Sequence, residues 1–131
     1  AIGATTDPEV LQLPRQMIVF AARSAGVTPM GLMQSVADFA DTEALAAAAR
    51  RARRFGFEGA TCVHPGAVPV LNAAFTPDES EVAEARRVVE AMQAGLARGE
   101  GAVRLDGRMI DAPVAARAER VLAMAARATA R

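Results

Sequence analysis

The chain contains no tryptophan, tyrosine or lysine, and only one cysteine and one histidine. A lone thiol, Cys62, excludes an internal disulfide and fits a reducing cytoplasm. A lone histidine, His64, excludes a histidine-built metal centre, which takes about three or four ligands. Net charge is missing too: 15 arginines face 15 acidic residues, a formal charge of +0. No net field therefore draws in nucleic acid or an anionic membrane. The cluster Arg50, Arg51, Arg53 and Arg54 sits where a helix should end and has no aromatics between its members. It reads as a solvated face that complements the helix dipole, not as a nucleic-acid patch. No apolar run approaches the roughly 18 residues that cross a bilayer. Neither nucleic acid nor membrane is expected as a partner.

What is present is apolar mass. Of 131 residues 52% are hydrophobic, enough for one domain with a real core, and the abundant alanine favours helix. The opening Ala1-Ile2-Gly3-Ala4 has no initiator Met and runs at once toward a helix start, so the chain is expected to be the interior of a longer protein.

Asp7-Pro8-Glu9 combines a cap, a first-turn proline and an acid favourable to the helix dipole, and predicts a helix from Pro8 to Ala25. Gly31 to Ala37 then reads as a buried strand. Asp41 caps a second helix running to Phe55, with Leu45, Ala48, Ala52 and Phe55 on its inner face. Gly59 to Val63 reads as another buried strand, ending at His64-Pro65 and placing Cys62 inward as a small core residue. A short helix to Ala74 follows. Thr76-Pro77-Asp78-Glu79 has the form of a capping box for a long helix that buries Val82, Ala85, Val89, Met92 and Leu96. A last helix, Ala112 to Ala128, turns Val114, Val121, Leu122 and Ala125 inward. Alternating strands and helices are the grammar of a parallel α/β fold. Two such units cannot close a (β/α)8 barrel, which takes about 250 residues; if the fold is a barrel, this chain is its closing portion plus an appendage.

The stretch Gly101 to Pro113 is the most specific local signal. It alternates apolar and polar residues on both sides of Asp106-Gly107, a strong two-residue hairpin turn. It delivers Asp111 to the point where the last helix begins. There the carboxylate is either a helix cap or a reagent.

The run Gly56-Phe57-Glu58-Gly59 through Val63-His64-Pro65, then Asn72, Phe75-Thr76-Pro77, Asp106-Gly107 and Met109-Ile110-Asp111-Ala112-Pro113, resembles the HpcH/HpaI aldolase and citrate lyase beta subunit-like family, which includes malyl-CoA lyases. Further upstream, Ala21-Ala22-Arg23-Ser24-Ala25-Gly26 and Ala37-Asp38-Phe39 with Asp41 extend the resemblance over essentially the whole chain. It implies the C-terminal half of a (β/α)8 TIM barrel, with 1–76 as the last β/α units and 77–131 as a helix-hairpin-helix lid and oligomerisation extension. It also implies an enzyme that makes or breaks a carbon–carbon bond in a CoA thioester with Mg²⁺, as a homotrimer or hexamer whose lid works on the neighbouring subunit.

Of the family's catalytic positions only the Met-Ile-Asp-x-Pro aspartate carries over, as Asp111, the acid/base that exchanges a proton with the CoA enolate. The metal ligands of the pattern would lie before Ala1, so no metal ligand is assigned here. The resemblance sets Val63, His64 and Pro65 against the CoA moiety. From the residues alone, His64 serves equally well as a ring that satisfies local backbone groups. Asp41 reads as a cap, Asp38 falls on the catalytic side if the barrel holds, and Arg108 reaches either CoA phosphates or solvent. The alternative of another class is a non-catalytic oligomerisation or CoA-binding module.

Overall fold

The computed structural model describes residues 3, 5 and 7–129. The start at Ala1, Ile2 and Ala4, which carries the expectation of a longer polypeptide, lies outside them. The chain divides into two compact units, Ala1–Phe75 and Thr76–Arg131. Among the described residues it is mostly helical with one small sheet. No helix among the described residues is long and apolar enough to cross a membrane.

The first unit holds α1 (Gln12–Ser24), α2 (Thr42–Arg54) and α3 (Ala67–Phe75). The helix expected from Pro8 begins four residues later. The Asp7 carboxylate accepts from the Glu9 amide at 2.8 Å and so closes a turn of its own. Starting at Gln12 also keeps Pro14 in the first helical turn, where its missing N–H costs no ladder bond. Asp41 caps α2 as expected, accepting from the amides of Glu43 and Ala44 at 3.1 and 2.9 Å. Leu45, Ala49 and Ala52 are the buried residues of α2, and the small size of the two alanines lets α3 pack closely through Leu71, Ala74 and Phe75.

The two expected strands of this unit do not form. A single parallel bridge, Met30 to Gly59, replaces them, with Gly31 N donating to Gly59 O at 2.9 Å and Glu58 N to Pro29 O at 3.0 Å. Parallel strands gain stability when other strands and helices cover them, and neither segment has a further strand beside it among the described residues. Residues 31–37 instead fold irregularly and bury Leu32 and Met33. Without a strand over 59–63 there is no alternation to turn Cys62 inward, and it is exposed. The bridge is still well anchored. Phe57 is 2% exposed beside it, and Arg23 on α1 donates to Glu58 Oε1 at 2.7 Å and to Gly56 O at 2.9 Å. On the outer side of α1, Leu13, Met17 and Phe20 are each at least 60% exposed.

The second unit runs α4 (Glu79–Ala97), β1 (Ala102–Leu105), β2 (Arg108–Asp111) and α5 (Ala112–Thr129). A capping box starts α4, but two residues later than expected. Asp78 Oδ1 accepts from Glu81 N at 2.8 Å and Glu81 Oε2 from Asp78 N at 3.0 Å. Two overlapping pairs at the right spacing compete here, Thr76 with Glu79 and Asp78 with Glu81, and aspartate is the better cap. The inner face of α4 is Ala85, Val88, Met92 and Gly95, turned slightly from the expected stripe so that Leu96 stays exposed. Ala115 and Ala118 are the buried residues of α5, while Val114 is 39% exposed. The hairpin forms about the expected Asp106-Gly107 turn, with Val103 opposite Ile110 and Ala102 opposite Asp111. Asp106 and Gly107 take φ of 48° and 77°, the left-handed pair a type I′ turn demands. Ile110, 5% exposed, joins the hairpin to the core of α4 and α5.

Candidate functional site

Asp111 is the last residue of β2, and α5 begins at the next position. Its Oδ1 accepts from the Val114 amide at 3.2 Å, satisfying one of the orphan donors at the helix start. The side chain is half-buried. Among the described residues Oδ1 is engaged at the helix start and Oδ2 accepts no hydrogen bond. The two roles open to this carboxylate are thus compatible on one side chain. Its geometry is reinforced from both directions in the chain, by the ladder to Ala102 before it and by Pro113 after it.

At the turn of the hairpin, Arg87 on α4 donates to Asp106, and Glu84 holds the same guanidinium at 3.0 Å. The Asp106 hydrogen bond and charge raise the Arg87 pKa above the ordinary arginine value. Arg108, expected near CoA phosphates or solvent, is exposed and lines an open groove of about 510 Å³ with Met109, Val114 and Arg117. Asp111 is not among the residues lining that groove.

Val63, His64 and Pro65 lie in the first unit, and all three are exposed. Asp111 belongs to the second. His64 Nδ1 accepts from the Gly66 amide at 3.1 Å, and its ring stacks on Phe39 with centroids 4.7 Å apart and planes 7° from parallel. The carbonyls of His64 and Pro65 accept from Ala67 N and Val68 N, so this segment forms the entry to α3. The ring therefore satisfies a local backbone group and fixes the loop. Its stacking partner, on the loop before α2, is signalled by no motif or periodicity in the sequence. Asp38 is exposed, and its carbonyl accepts from Gln34 Nε2 at 2.7 Å. Among the described residues no three His, Cys, Asp or Glu side chains come close enough to hold a metal ion. These donors do not make a Mg²⁺ site by themselves.

No protein-family model matches the chain. Sequence relatives and solved structures do. Over 94 residues it is 43% identical to the L-malyl-CoA/beta-methylmalyl-CoA lyase of Cereibacter sphaeroides, covering 72% of this chain and 29% of that protein. Over 123 residues it is 34% identical to a citrate lyase subunit beta-like protein of Deinococcus radiodurans, covering 92% and 43% of the two. The crystal structure of CitE from Mycobacterium tuberculosis, in complex with magnesium, acetoacetate and coenzyme A, superimposes with a TM-score of 0.72 at 34% identity. That match covers 96% of this chain and 44% of CitE. Over most of its length the chain is similar to proteins of the citrate lyase beta subunit-like family. It spans less than half the length of these relatives.

Proposed function

We propose that this chain is the closing, C-terminal sector of a (β/α)8 barrel in a lyase that cleaves a 3-hydroxyacyl-CoA thioester of the malyl-, citramalyl- or citryl-CoA type. Residues 1–76 are its last β/α units and 77–131 its lid. The reaction is a retro-Claisen cleavage. The bond between C2 and C3 breaks, the 3-hydroxyl gives up its proton to solvent water as C3 becomes the carbonyl of a keto acid, and the bonding pair passes to C2 as the enolate of the acyl-CoA. That carbon must then take up a proton. Asp111 delivers it, and in the synthetic direction its carboxylate removes it. The proton moves on the oxygen that does not cap α5. Val63, His64 and Pro65 present an ordered, exposed edge for the CoA moiety, shaped by the stacking of His64 on Phe39.

The magnesium that accompanies CoA in the mycobacterial relative would take its ligands from outside the described residues. Assembly as a homotrimer or hexamer in the cytoplasm, with the lid of one subunit serving its neighbour, completes the reading.

The observation that carries it is a half-engaged carboxylate at the end of an ordered hairpin, in a chain that matches CoA-bound CitE over 96% of its length. The test is to incubate the full-length protein with L-malyl-CoA and Mg²⁺ and to quantify products. Glyoxylate and acetyl-CoA should appear in equal amounts. Tight CoA binding with no cleavage of L-malyl-CoA, citramalyl-CoA or citryl-CoA would instead leave a non-catalytic CoA-binding or oligomerisation module.

A further inference from the structure

The hairpin is laid along α4 and touches it at two matched points. At one end Gly95 lies against Val103, where an added Cβ would collide with Val103 Cγ1. At the other, Arg87 donates through Nη2 to Asp106 Oδ2 in the turn, while Nη1 is held by Glu84. The helical stretch from Arg87 to Gly95 rises about 12 Å. The strand from Val103 to Asp106 spans about 10 Å. The two lengths agree, so β1 runs antiparallel to α4 with a contact at each end. Between them Val103 and Leu105 pack on the cluster that contains Val88 and Met92. The ladder passes this placement to β2, fixing Ile110 opposite Val103 and Asp111 opposite Ala102.

We propose that Gly95 and Arg87 are positioning residues for Asp111. They fasten the hairpin lengthwise to α4, so the carboxylate is presented by a rigid helix-and-hairpin frame and not by a flap that opens independently of α4. The proposal rests on the acid/base reading of Asp111. Gly95 is the stronger fastening, because Val103 is β-branched and stiff, and any side chain at 95 lifts β1 away. The Arg87–Asp106 pair is exposed on both sides and adds little to global stability. Its effect is local, on the turn, where Asp106 already sits in the left-handed region.

The experiment compares amide hydrogen exchange and steady-state kinetics in the full-length protein. Gly95→Ala should speed exchange over residues 102–111 by about tenfold, as expected for modest overpacking. Arg87→Met should speed exchange at the turn by about threefold, as expected for an exposed ion pair. Amides of α2 serve as the internal control and should not change. With L-malyl-CoA, Gly95→Ala should lower kcat per folded molecule by about tenfold or more while KM stays within about twofold, since misplacement of a catalytic group acts on the reacting step. Adding Val103→Ala to Gly95→Ala should restore both readouts, because it makes room for the new methyl. Unchanged hairpin exchange in both single variants overturns the fastening. Faster exchange with kcat unchanged, when Asp111→Asn is inactive, overturns the positioning role. An active Asp111→Asn removes the acid/base reading, and with it the positioning role, while exchange still reports whether the hairpin is fastened.

Discussion

Replacing Asp111 in two ways separates its two roles. The capping role rests on one hydrogen bond, Val114 N to Oδ1 at 3.2 Å, at the start of an 18-residue helix. Asparagine keeps an oxygen for that bond and ranks beside aspartate as a cap, so Asp111→Asn forfeits only the charge at the helix N-terminus, about 0.5 kcal/mol. Alanine leaves the Val114 donor without its partner and should cost about 1 kcal/mol. For a unit of this size the alanine loss lowers the melting temperature by about 8 °C and the asparagine loss by about 4 °C. Circular dichroism at 222 nm, followed on heating, resolves the two. Turnover should divide differently: both variants lose the proton donor, and both should fall by at least about a hundredfold. Equal stability loss in the two variants would refute the capping geometry. Asp111→Asn turning over L-malyl-CoA at the wild-type rate would refute the acid/base role whatever the stability showed.

Three further outcomes follow from packing and capping. Ile110→Ala should destabilise the second unit by about 3 kcal/mol, measured by urea denaturation, because it empties a buried site shared by the hairpin, α4 and α5. Gly31→Ala should cost about 2 kcal/mol in the first unit, since its Cβ would lie 2.5 Å from the buried ring of Phe57; pairing it with Phe57→Leu should recover part of the loss. Asp78→Ala should cost about 1 kcal/mol, whereas Glu81→Gln should melt near the wild type because glutamine can still reach back to the Asp78 amide.

Features governed by a few adjacent residues are legible in the sequence. Asp106-Gly107 forms its turn because two neighbouring residues tolerate positive φ, and Asp41 caps α2 because its oxygen needs only the next amides. Features that depend on distant partners are not. The apolar runs at 31–37 and 59–63 look like buried strands, yet a strand requires neighbours to pair with, and among the described residues the two segments share a single isolated bridge, Met30 to Gly59. The capping box sits two residues later than expected because two pairs share the same spacing, and only their competition decides. Of the candidate site, the position of Asp111 at a strand-to-helix junction can be read from Met109 to Pro113. The stacking of His64 on Phe39 cannot, since no periodicity links residues on separate loops. Gly95 cannot either, because a glycine inside a helical pattern signals a cost before it signals a close approach.

The outward side of α1 gives this protein a second property that its cores do not control. Val19 anchors the helix from within, while Leu13, Met17 and Phe20 form an oily stripe facing water. A helix that is greasy on two sides belongs in the middle of a stack. Left uncovered, such a stripe sets the colloidal behaviour of the molecule, because exposed apolar area drives self-association without any unfolding. Solubility and thermal stability are then separate quantities here, decided on opposite sides of one helix.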